Sequence, residues 1–199
     1  KLADGLMIAR GDLGVELPIQ DVPGWQKRII REARIQGKPV IVSTQMLESM
    51  TYSPTPTRAE VSDVATAVFE GADAVMLSGE SAVGVNPELA VKMMNNIAIS
   101  AERNPNYNSI LSAQLEETPD STPDAIATAA STLATELNSP MIICYTQSGS
   151  TGIKVSRVRP QQLILTVTPI IKTARKLSLV WGTKCLVQKD ASDLEEMIK

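Results

Sequence analysis

The sequence predicts an α/β protein in which short buried strands alternate with helices. Apolar, β-branched runs such as Val40-Ile41-Val42 are typical of strands in parallel sheets whose two faces are both covered. Segments with apolar residues at i, i+3, i+4 and i+7 separate the strands, and the segment that starts at Thr57 has this helical spacing throughout. The alternation is interrupted between residues 105 and 121, so the chain contains two βα arrays.

The first array covers residues 1–104. Its strands are predicted at 5–8, 39–43 and 74–77, and its helices at 22–36, from Thr57 to Gly71, and from Asn86 to about Ala101. Thr57 and Glu60 have the spacing of a capping box, in which each side chain satisfies a backbone amide of the other residue. Three parallel strands would leave unpaired backbone groups at an open edge. Either the array belongs to a larger domain, or the 199 residues are a fragment.

Residues 105–121 are interpreted as an interdomain connection with a short helix near 109–116, because Pro, Asn and Asp interrupt the alternation there. The second array occupies residues 122–199 and is expected to be incomplete. Its helices are predicted at 123–137, 150–158, 170–179 and 192–199, and its strands at 140–146, 163–168 and 184–187.

The composition argues against several classes of function. The 199 residues carry 19 basic and 22 acidic side chains and 3% aromatic residues, which disfavours a basic nucleic-acid groove or a base-stacking surface. No apolar run reaches the roughly 18 residues of a membrane span, so we expect neither nucleic acid nor a membrane as a partner. The absence of histidine excludes imidazole metal ligands and Ser-His or Cys-His nucleophiles. Chemistry must come from carboxylates, hydroxyls, amines, backbone amides or a bound ion.

Polar clusters follow all three strands of the first array. They are Arg10-Gly11-Asp12, Thr44-Gln45 and Ser78-Gly79-Glu80. The first cluster is expected to form a turn in which Gly11 and Gly14 take positive φ, and Asp12 offers the hard oxygen ligand that Mg²⁺ prefers. Function gathers at the carboxyl ends of the strands in α/β barrels, so the clusters are predicted to be pieces of one site.

Each of these residues also has an ordinary structural interpretation. An Asp after a strand is more often a turn former or a helix cap, and a Ser or Thr in that place is usually a cap. Their combination on three consecutive strands favours a functional site over three separate caps.

Four long motifs, in this order, closely resemble pyruvate kinase. They are Ala9 to Glu16, Thr44 to Met50, Pro56 to Ala65, and Gly71 to Glu80. The resemblance runs from residue 1 to about residue 160 and continues more loosely to Gly182. It implies a partial (β/α)₈ TIM barrel, the last three βα units, in residues 1–104. A smaller α/β three-layer C-terminal regulatory domain with a mainly parallel sheet would follow in residues 122–199.

The resemblance implies phosphoryl transfer from phosphoenolpyruvate to ADP, which gives pyruvate and ATP in glycolysis. Asp12 resembles a ligand of the Mg²⁺, or Mn²⁺, that bridges phosphoenolpyruvate. Gly11, with the backbone of Ala9 and Arg10, resembles part of the pocket for the substrate carboxylate. Thr44 resembles a further substrate contact. Such transfer depends on positioning and on neutralisation of charge.

The remaining implied roles concern proton transfer and assembly. The hydroxyls of Thr44 and Ser78 resemble those proposed to help protonate the enolate in this family. Arg58 and the helix that it opens resemble the intersubunit surface of a homotetramer. K⁺ is a further cofactor of the family, with ligands that match no residue here. Cys144 and Cys185 lie in apolar runs, which favours buried free thiols and a cytoplasmic protein.

The chain lacks a Lys-x-Glu pair that the family carries on a strand preceding these motifs. The family's Lys stabilises the transferring phosphoryl group, and its Glu is the other protein ligand of the Mg²⁺. We therefore expect the 199 residues to be a fragment that holds half of an active site and is inactive alone.

A second candidate site lies between the strand at 140–146 and the following helix. Its residues are Thr146, Ser148, Gly149, Ser150 and Thr151. Hydroxyls and backbone amides at a helix N-terminus can bind a phosphate, although an ordinary capped turn explains the pattern equally well. The run resembles the family's effector-phosphate loop, where a sugar phosphate binds. Gln147 and Ser150 replace basic residues of some bisphosphate-regulated members, which favours a monophosphate or sulfate.

Three functions are thus compatible with the sequence. The first is an incomplete pyruvate kinase, and the second is a regulatory sugar-phosphate-binding and assembly fragment without chemistry of its own. The third is another barrel enzyme that uses phosphoenolpyruvate or pyruvate, and the run from Thr44 to Ser49 argues against it.

Overall fold

The computed structural model of the protein describes residues 2–113 and 121–189. Strands and helices alternate along the chain, which confirms the predicted α/β class. The chain divides into two compact units, Lys1–Thr118 and Pro119–Lys199. The domain boundaries near residues 104 and 122 stay predictions, since residues 114–120 of the connection lie outside the described part. No helix of the described part is long and apolar enough to cross a membrane.

A parallel sheet of three strands, in the order β1-β2-β3, forms the centre of the first unit. The strands are β1 (Leu6–Ala9), β2 (Val40–Ser43) and β3 (Ala74–Met76). Ala9 pairs with Ser43, and Ser43 pairs with Met76, so the carboxyl ends of the strands lie side by side. This register brings the three polar clusters of the sequence to one edge of the sheet.

Helices connect the three strands and continue beyond β3. They are α1 (Arg10–Glu16), α2 (Val22–Ile35), α3 (Arg58–Phe69), α4 (Gly79–Ala82), α5 (Pro87–Glu102) and α6 (Tyr107–Ala113), with 3₁₀ turns at Ile19–Asp21 and Glu48–Thr51. Val40 and Val42 of β2 are fully buried in a core that also contains Ile30 of α2, Val64 of α3 and Ala90 of α5. Helices therefore cover the face of the central strand that carries Val40 and Val42, whereas Ile41 on the opposite face is only partly buried.

The prediction of a turn after β1 is wrong, because Arg10–Glu16 form helix α1 directly after the strand. Gly11 and Gly14 are helical, and neither has a positive φ. Asp12 lies in the first turn of α1, where a carboxylate interacts favourably with the positive end of the helix dipole. The charged residue that suggested a turn therefore stabilises the start of a helix.

The predicted capping box at the start of α3 is confirmed. Glu60 Oε2 accepts a hydrogen bond from the amide of Thr57 at 2.7 Å, and Thr57 Oγ1 accepts one from the amide of Glu60 at 3.3 Å. Glu60 also accepts hydrogen bonds from the amide and the hydroxyl of Ser49, at 2.7 and 2.6 Å. Burial alone would raise the pKa of Glu60, but the hydrogen bonds from Ser49 and Thr57 lower it. The carboxylate thus ties the loop after β2 to α3.

The second unit contains another parallel sheet, in the order β4-β5-β6. Its strands are β4 (Met141–Tyr145), β5 (Leu163–Thr168) and β6 (Thr183–Val187), and its helices are α7 (Thr122–Glu136), α8 (Ser150–Arg157) and α9 (Ile171–Leu177). Cys144 and Ile164 pack in its core with Ala127 of α7 and Val155 of α8. The helix predicted at 192–199 lies outside the described residues.

Both cysteines are free thiols. Cys144 is buried as predicted, and burial raises the pKa of its thiol to about 11, so the thiol is neutral near pH 7. Cys185 is only partly buried, since its strand β6 is at the edge of the sheet.

Asp124, near the start of α7, joins this helix to α8. Its buried carboxylate accepts a hydrogen bond from Lys154 Nζ at 2.6 Å, lies 3.1 Å from Arg157 Nη2, and accepts a further hydrogen bond from the hydroxyl of Ser121. Burial alone would raise the pKa of Asp124, but the hydrogen bonds from Lys154 and Ser121 and the charge of Arg157 lower it.

We predict that Asp124→Asn lowers the free energy of unfolding of the second unit by about 1–3 kcal/mol at neutral pH, because two cations lose their charged acceptor. Since the folded-state pKa is lowered, the carboxylate stabilises the fold above its unfolded-state pKa of about 4, and this contribution is lost as the pH falls through the folded-state pKa. Thermal unfolding across this pH range measures both effects.

The matched control for this prediction is Glu88→Gln. The Glu88–Lys92 pair is exposed, with 81% and 64% of the side chains accessible, so its loss should cost about 0.5 kcal/mol or less. An Asp124→Asn variant with the stability and pH profile of the unmodified chain would contradict the prediction.

Candidate functional site

The carboxyl ends of β1 and β2 are joined by a direct hydrogen bond. The amide of Gly11, in the first turn of α1, donates to Thr44 Oγ1 at 2.8 Å. The same hydroxyl donates to the carbonyl oxygen of Ser43 at 2.6 Å, and the Ser43 hydroxyl donates to the carbonyl oxygen of Ile8 at 3.2 Å. Two of the three predicted clusters therefore form one hydrogen-bonded unit.

Thr44 begins a strained turn at the end of β2. Its φ is 69°, and the φ of Gln45 is 54°, in the left-handed region that side chains other than glycine rarely adopt. Each such residue costs about 1–3 kcal/mol and persists where the surroundings over-determine it. Met46 and Leu47, which follow, are fully buried. The turn therefore has a rigid base and presents the Thr44 side chain towards α1, as the hydrogen bond with Gly11 requires.

Arg10 supplies the contacts that hold this turn. Its Nη2 and Nε donate to the carbonyl oxygen of Thr44 at 2.6 and 3.2 Å, and Nη2 also contacts Met46 Sδ at 2.9 Å. Nη1 donates to Asp63 Oδ1 of α3 at 2.6 Å, with 13% of the Arg10 side chain exposed and 33% of that of Asp63. The planar guanidinium thus binds a carbonyl and a carboxylate at once through a rigid set of donors, which the flexible ammonium group of a lysine does not provide.

Ser78, the third predicted position, follows β3 and precedes α4. Its amide donates to Glu80 Oε2 at 2.8 Å, and Glu80 Oε1 accepts from the amide of Leu47 at 3.0 Å. Within residues 2–113 and 121–189, the hydroxyl of Ser78 has no hydrogen-bond partner, so it is available to a ligand. Glu80 thereby links the third cluster to the loop after β2.

Asp12 is exposed at the same edge, and among the described residues its carboxylate takes part in no hydrogen bond or ion pair. A free carboxylate of this kind suits a divalent cation that takes oxygen ligands. No group of three or more acidic, Cys or His residues that could hold a metal ion is found in the described part of the chain. Asp12 could therefore supply one ligand of a metal whose other ligands come from elsewhere.

The second predicted site has a defined loop geometry between β4 and α8. The amide of Gly149 donates to Thr146 Oγ1 at 2.9 Å, and Ser148 Oγ lies 3.2 Å from Ser150 Oγ. The residues Ser148, Ser150 and Thr151 are exposed at the N-terminal end of α8. Two amides of the predicted phosphate cradle, those of Gly149 and Ser150, are therefore already used inside the loop, whereas Ser148, Ser150 and Thr151 are accessible.

Close packing requires glycine at two positions here, at Gly149 against α9 and at Gly152 of α8 against β5. Gly149 has a φ of 89°, and a Cβ on it would lie 3.3 Å from both Leu177 Cδ2 and Thr173 Cγ2. A Cβ on Gly152 would lie 2.5 Å from Thr166 Cγ2, closer than atoms can approach without a shift. Packing alone therefore accounts for both glycines. The indication of a ligand at this loop comes from its exposed hydroxyls.

Comparison with protein families shows to which family the chain belongs. Residues 1–91 match the family model described as "Pyruvate kinase, barrel domain", and residues 124–199 match the model described as "Pyruvate kinase, alpha/beta domain". The chain belongs to the pyruvate kinase family. The two matches confirm the predicted fold class, a partial barrel followed by an α/β domain.

Curated pyruvate kinases match nearly the whole chain. The pyruvate kinase of Methylorubrum extorquens is 55% identical over 197 residues, which are 99% of this chain and 41% of the relative. A pyruvate kinase of Agrobacterium vitis is 51% identical over 195 residues, 98% of this chain and 40% of the relative. The chain thus spans about two fifths of the length of these pyruvate kinases.

A solved structure agrees with the sequence matches. The crystal structure of a pyruvate kinase from Cryptosporidium parvum superposes with a TM-score of 0.91 at 41% sequence identity, covering 98% of this chain and 40% of that one. The similarity therefore extends through both units of the chain.

The strand-end residues can be predicted from the sequence, but the contacts that hold them cannot. Glu80 belongs to a predicted polar cluster, and its role as acceptor for the amides of Leu47 and Ser78 is visible only in the structure. The same holds for Asp63 as the partner of Arg10. Both contacts join residues far apart in the chain, and no local pattern indicates them.

Proposed function

We propose that this chain forms part of the catalytic site of a pyruvate kinase, which transfers the phosphoryl group of phosphoenolpyruvate to ADP and yields pyruvate and ATP. The observation that carries the proposal is the convergence of Asp12, Thr44 and Ser78 at one sheet edge, in a chain of this family. On β1, the apolar side chains of Leu6 and Met7 are 41% and 56% exposed, as expected for a strand that further barrel strands would cover.

The proposed substrate contacts divide between backbone and side chains. The start of α1, with the backbone of Ala9, Arg10 and Gly11, is the proposed binding place for the substrate carboxylate, since amides at a helix start favour an anion. The amide of Gly11 itself donates to Thr44 Oγ1, so the carboxylate would bind beside this hydrogen bond and use the other amides of the first turn. Asp12 would hold Mg²⁺ or Mn²⁺ together with a carboxylate from another part of the protein. When bound, the ion would neutralise charge on the transferring group. Thr44 would contact the substrate from the end of β2.

Protonation of the enolate is the proposed task of the two hydroxyls. Those of Thr44 and Ser78 follow neighbouring strands, and the Thr44 hydroxyl is oriented by its bonds with Gly11 and Ser43. Among the described residues, the Ser78 hydroxyl has no hydrogen-bond partner, so it is free to receive or pass on a proton. K⁺ and a homotetrameric assembly through α3 and Arg58 are further parts of the proposal that rest on the family resemblance alone. A cytoplasmic location is proposed as well, because both cysteines are free thiols.

A second function, regulation by a phosphate-bearing effector, is supported by the accessible loop before α8. The loop belongs to the second unit, which has a sheet and a core of its own. We propose that Thr146, Ser148, Gly149, Ser150 and Thr151 bind the phosphate of a sugar phosphate. Gln147 supplies no positive charge, which favours a single phosphate group over two.

In the complete protein, we predict that Asp12→Asn lowers turnover by roughly 10²-fold or more, because a neutral amide oxygen is a weaker ligand for a divalent cation. The free energy of unfolding should fall by about 1 kcal/mol or less, the usual contribution of an exposed carboxylate in the first turn of a helix. Steady-state rates as a function of Mg²⁺ concentration, together with thermal unfolding, measure the two effects.

Glu16→Gln is the matched control, because Glu16 is an exposed carboxylate on the same helix α1. Its metal dependence should equal that of the unmodified protein. If Asp12→Asn unfolds at a much lower temperature while its metal response stays normal, Asp12 is a structural cap and the assignment fails.

We further predict that the 199-residue chain binds inorganic phosphate or a sugar monophosphate at the loop before α8. Replacing both Ser148 and Thr151 by Ala should weaken binding by about tenfold, as expected for the loss of two hydrogen bonds of modest strength. Titration followed by amide chemical shifts gives the dissociation constants for phosphate, sulfate, a monophosphate and fructose bisphosphate.

The matched control replaces Thr132 and Thr135 of α7, which are also exposed hydroxyl residues of the second unit. This double Ala variant should bind phosphate normally. Equal binding by the Ser148/Thr151 variant, or no shift with any phosphate compound, would mean that the loop is an ordinary capped turn.

A further inference from the structure

Glu80 is a buried carboxylate to which the proposed reaction assigns no role. It is 2% exposed, and within the described residues no cation pairs with it. Its two oxygens instead accept hydrogen bonds from two backbone amides, that of Leu47 at 3.0 Å and that of Ser78 at 2.8 Å. Burying a carboxylate is costly unless it is hydrogen-bonded, so these two contacts define what the group does in the fold.

The two amides belong to the segments that carry the proposed proton-transfer hydroxyls. Leu47 ends the turn that begins with Thr44, and Ser78 contains one of the hydroxyls itself. Leu47 and Glu80 are 33 positions apart in the chain, so the carboxylate bridges the ends of β2 and β3 across the sheet. The Glu80 carboxylate binds the backbone of both segments and makes no hydrogen bond with the hydroxyl of Thr44 or Ser78.

Only a carboxylate of this length satisfies both amides at once. A glutamine has one acceptor oxygen, and its NH₂ group would face the second amide as a donor. An aspartate keeps two acceptor oxygens but is shorter by one methylene group, so it cannot span the same two donors without a backbone shift. The bridge is therefore specific to Glu in both charge and length.

We propose that Glu80 is a positioning residue that sets the separation of the Thr44 turn from Ser78 and thereby controls protonation of the enolate. This inference rests on the proposed function of the two hydroxyls. In the affected step, a proton moves from a hydroxyl or a water at the site to the enolate carbon, a C–H bond forms, and solvent replaces the proton. Misplacement of a reacting group by about 1 Å can cost roughly 10²-fold in rate.

The step can be observed apart from phosphoryl transfer in the complete protein. With ATP, Mg²⁺ and K⁺ present, the exchange of deuterium from solvent into the methyl group of pyruvate reports enolate protonation and its reverse. Glu80→Gln is expected to slow this exchange by about tenfold or more, while the KM for phosphoenolpyruvate changes by less than about threefold. Glu80→Asp, which keeps the charge, should fall between Gln and the unmodified protein.

Two further variants make the outcomes distinct. Ser78→Ala tests the proposed function itself, because it removes the hydroxyl and leaves the amide that Glu80 binds. Glu60→Gln is the matched control, since Glu60 also accepts backbone amide hydrogen bonds, from Ser49 and Thr57, but does not contact Ser78. It should alter stability without changing the ratio of exchange to phosphoryl transfer.

Each result has one interpretation. Slow exchange in both Ser78→Ala and Glu80→Gln, with the control unaffected, would support the positioning role. Slow exchange in Ser78→Ala but normal exchange in Glu80→Gln would overturn it and leave the proposed function intact. Normal exchange in Ser78→Ala would refute the role of the hydroxyl, and with it the inference. If both Glu80 variants fail to fold, the carboxylate is structural and the proposal is likewise overturned.

Discussion

The geometry of the candidate catalytic edge depends on one interaction, the binding of the Arg10 guanidinium to the turn at the end of β2. Thr44 and Gln45 both have positive φ, which costs about 1–3 kcal/mol for each residue. Two hydrogen bonds from Arg10 to the Thr44 carbonyl, and the ion pair of Arg10 with Asp63, offset that cost. Because Arg10 lies directly after β1, the turn of one strand is held by the end of its neighbour.

Two carboxylates extend this arrangement to the rest of the first unit. Glu60 ties the 3₁₀ turn after β2 to the start of α3, and Glu80 ties the same loop to the end of β3. The turn that begins at Thr44 is thus held at its start by Arg10 and at Leu47 by Glu80, whereas Glu60 holds the later 3₁₀ turn at Ser49. Fixed backbone at this edge is what allows short side chains such as Thr44 and Ser78 to act at defined positions, because positioning dominates phosphoryl and proton transfer.

The sequence predicted features that depend on local spacing and missed those that depend on distant contacts. The capping box of Thr57 and Glu60 could be predicted because its two residues lie one helical turn apart. The contacts of Arg10 with Thr44 and Asp63 join residues 34 and 53 positions apart, so no pattern in the chain indicates them. Helix α1 was missed for a related reason, since Gly11 and Gly14 favour a turn locally, while Asp12 stabilises a helix start.

The most direct test of this account is the backbone conformation of Thr44 after Arg10 loses its guanidinium. In an Arg10→Met variant, which keeps a long side chain, NMR scalar couplings report the φ of Thr44, and hydrogen exchange reports the bond from the Gly11 amide to Thr44 Oγ1. We expect Thr44 to leave its φ of 69° and the Gly11 amide to exchange faster. A Thr44 that keeps its positive φ, with a protected Gly11 amide, would contradict the central role of Arg10.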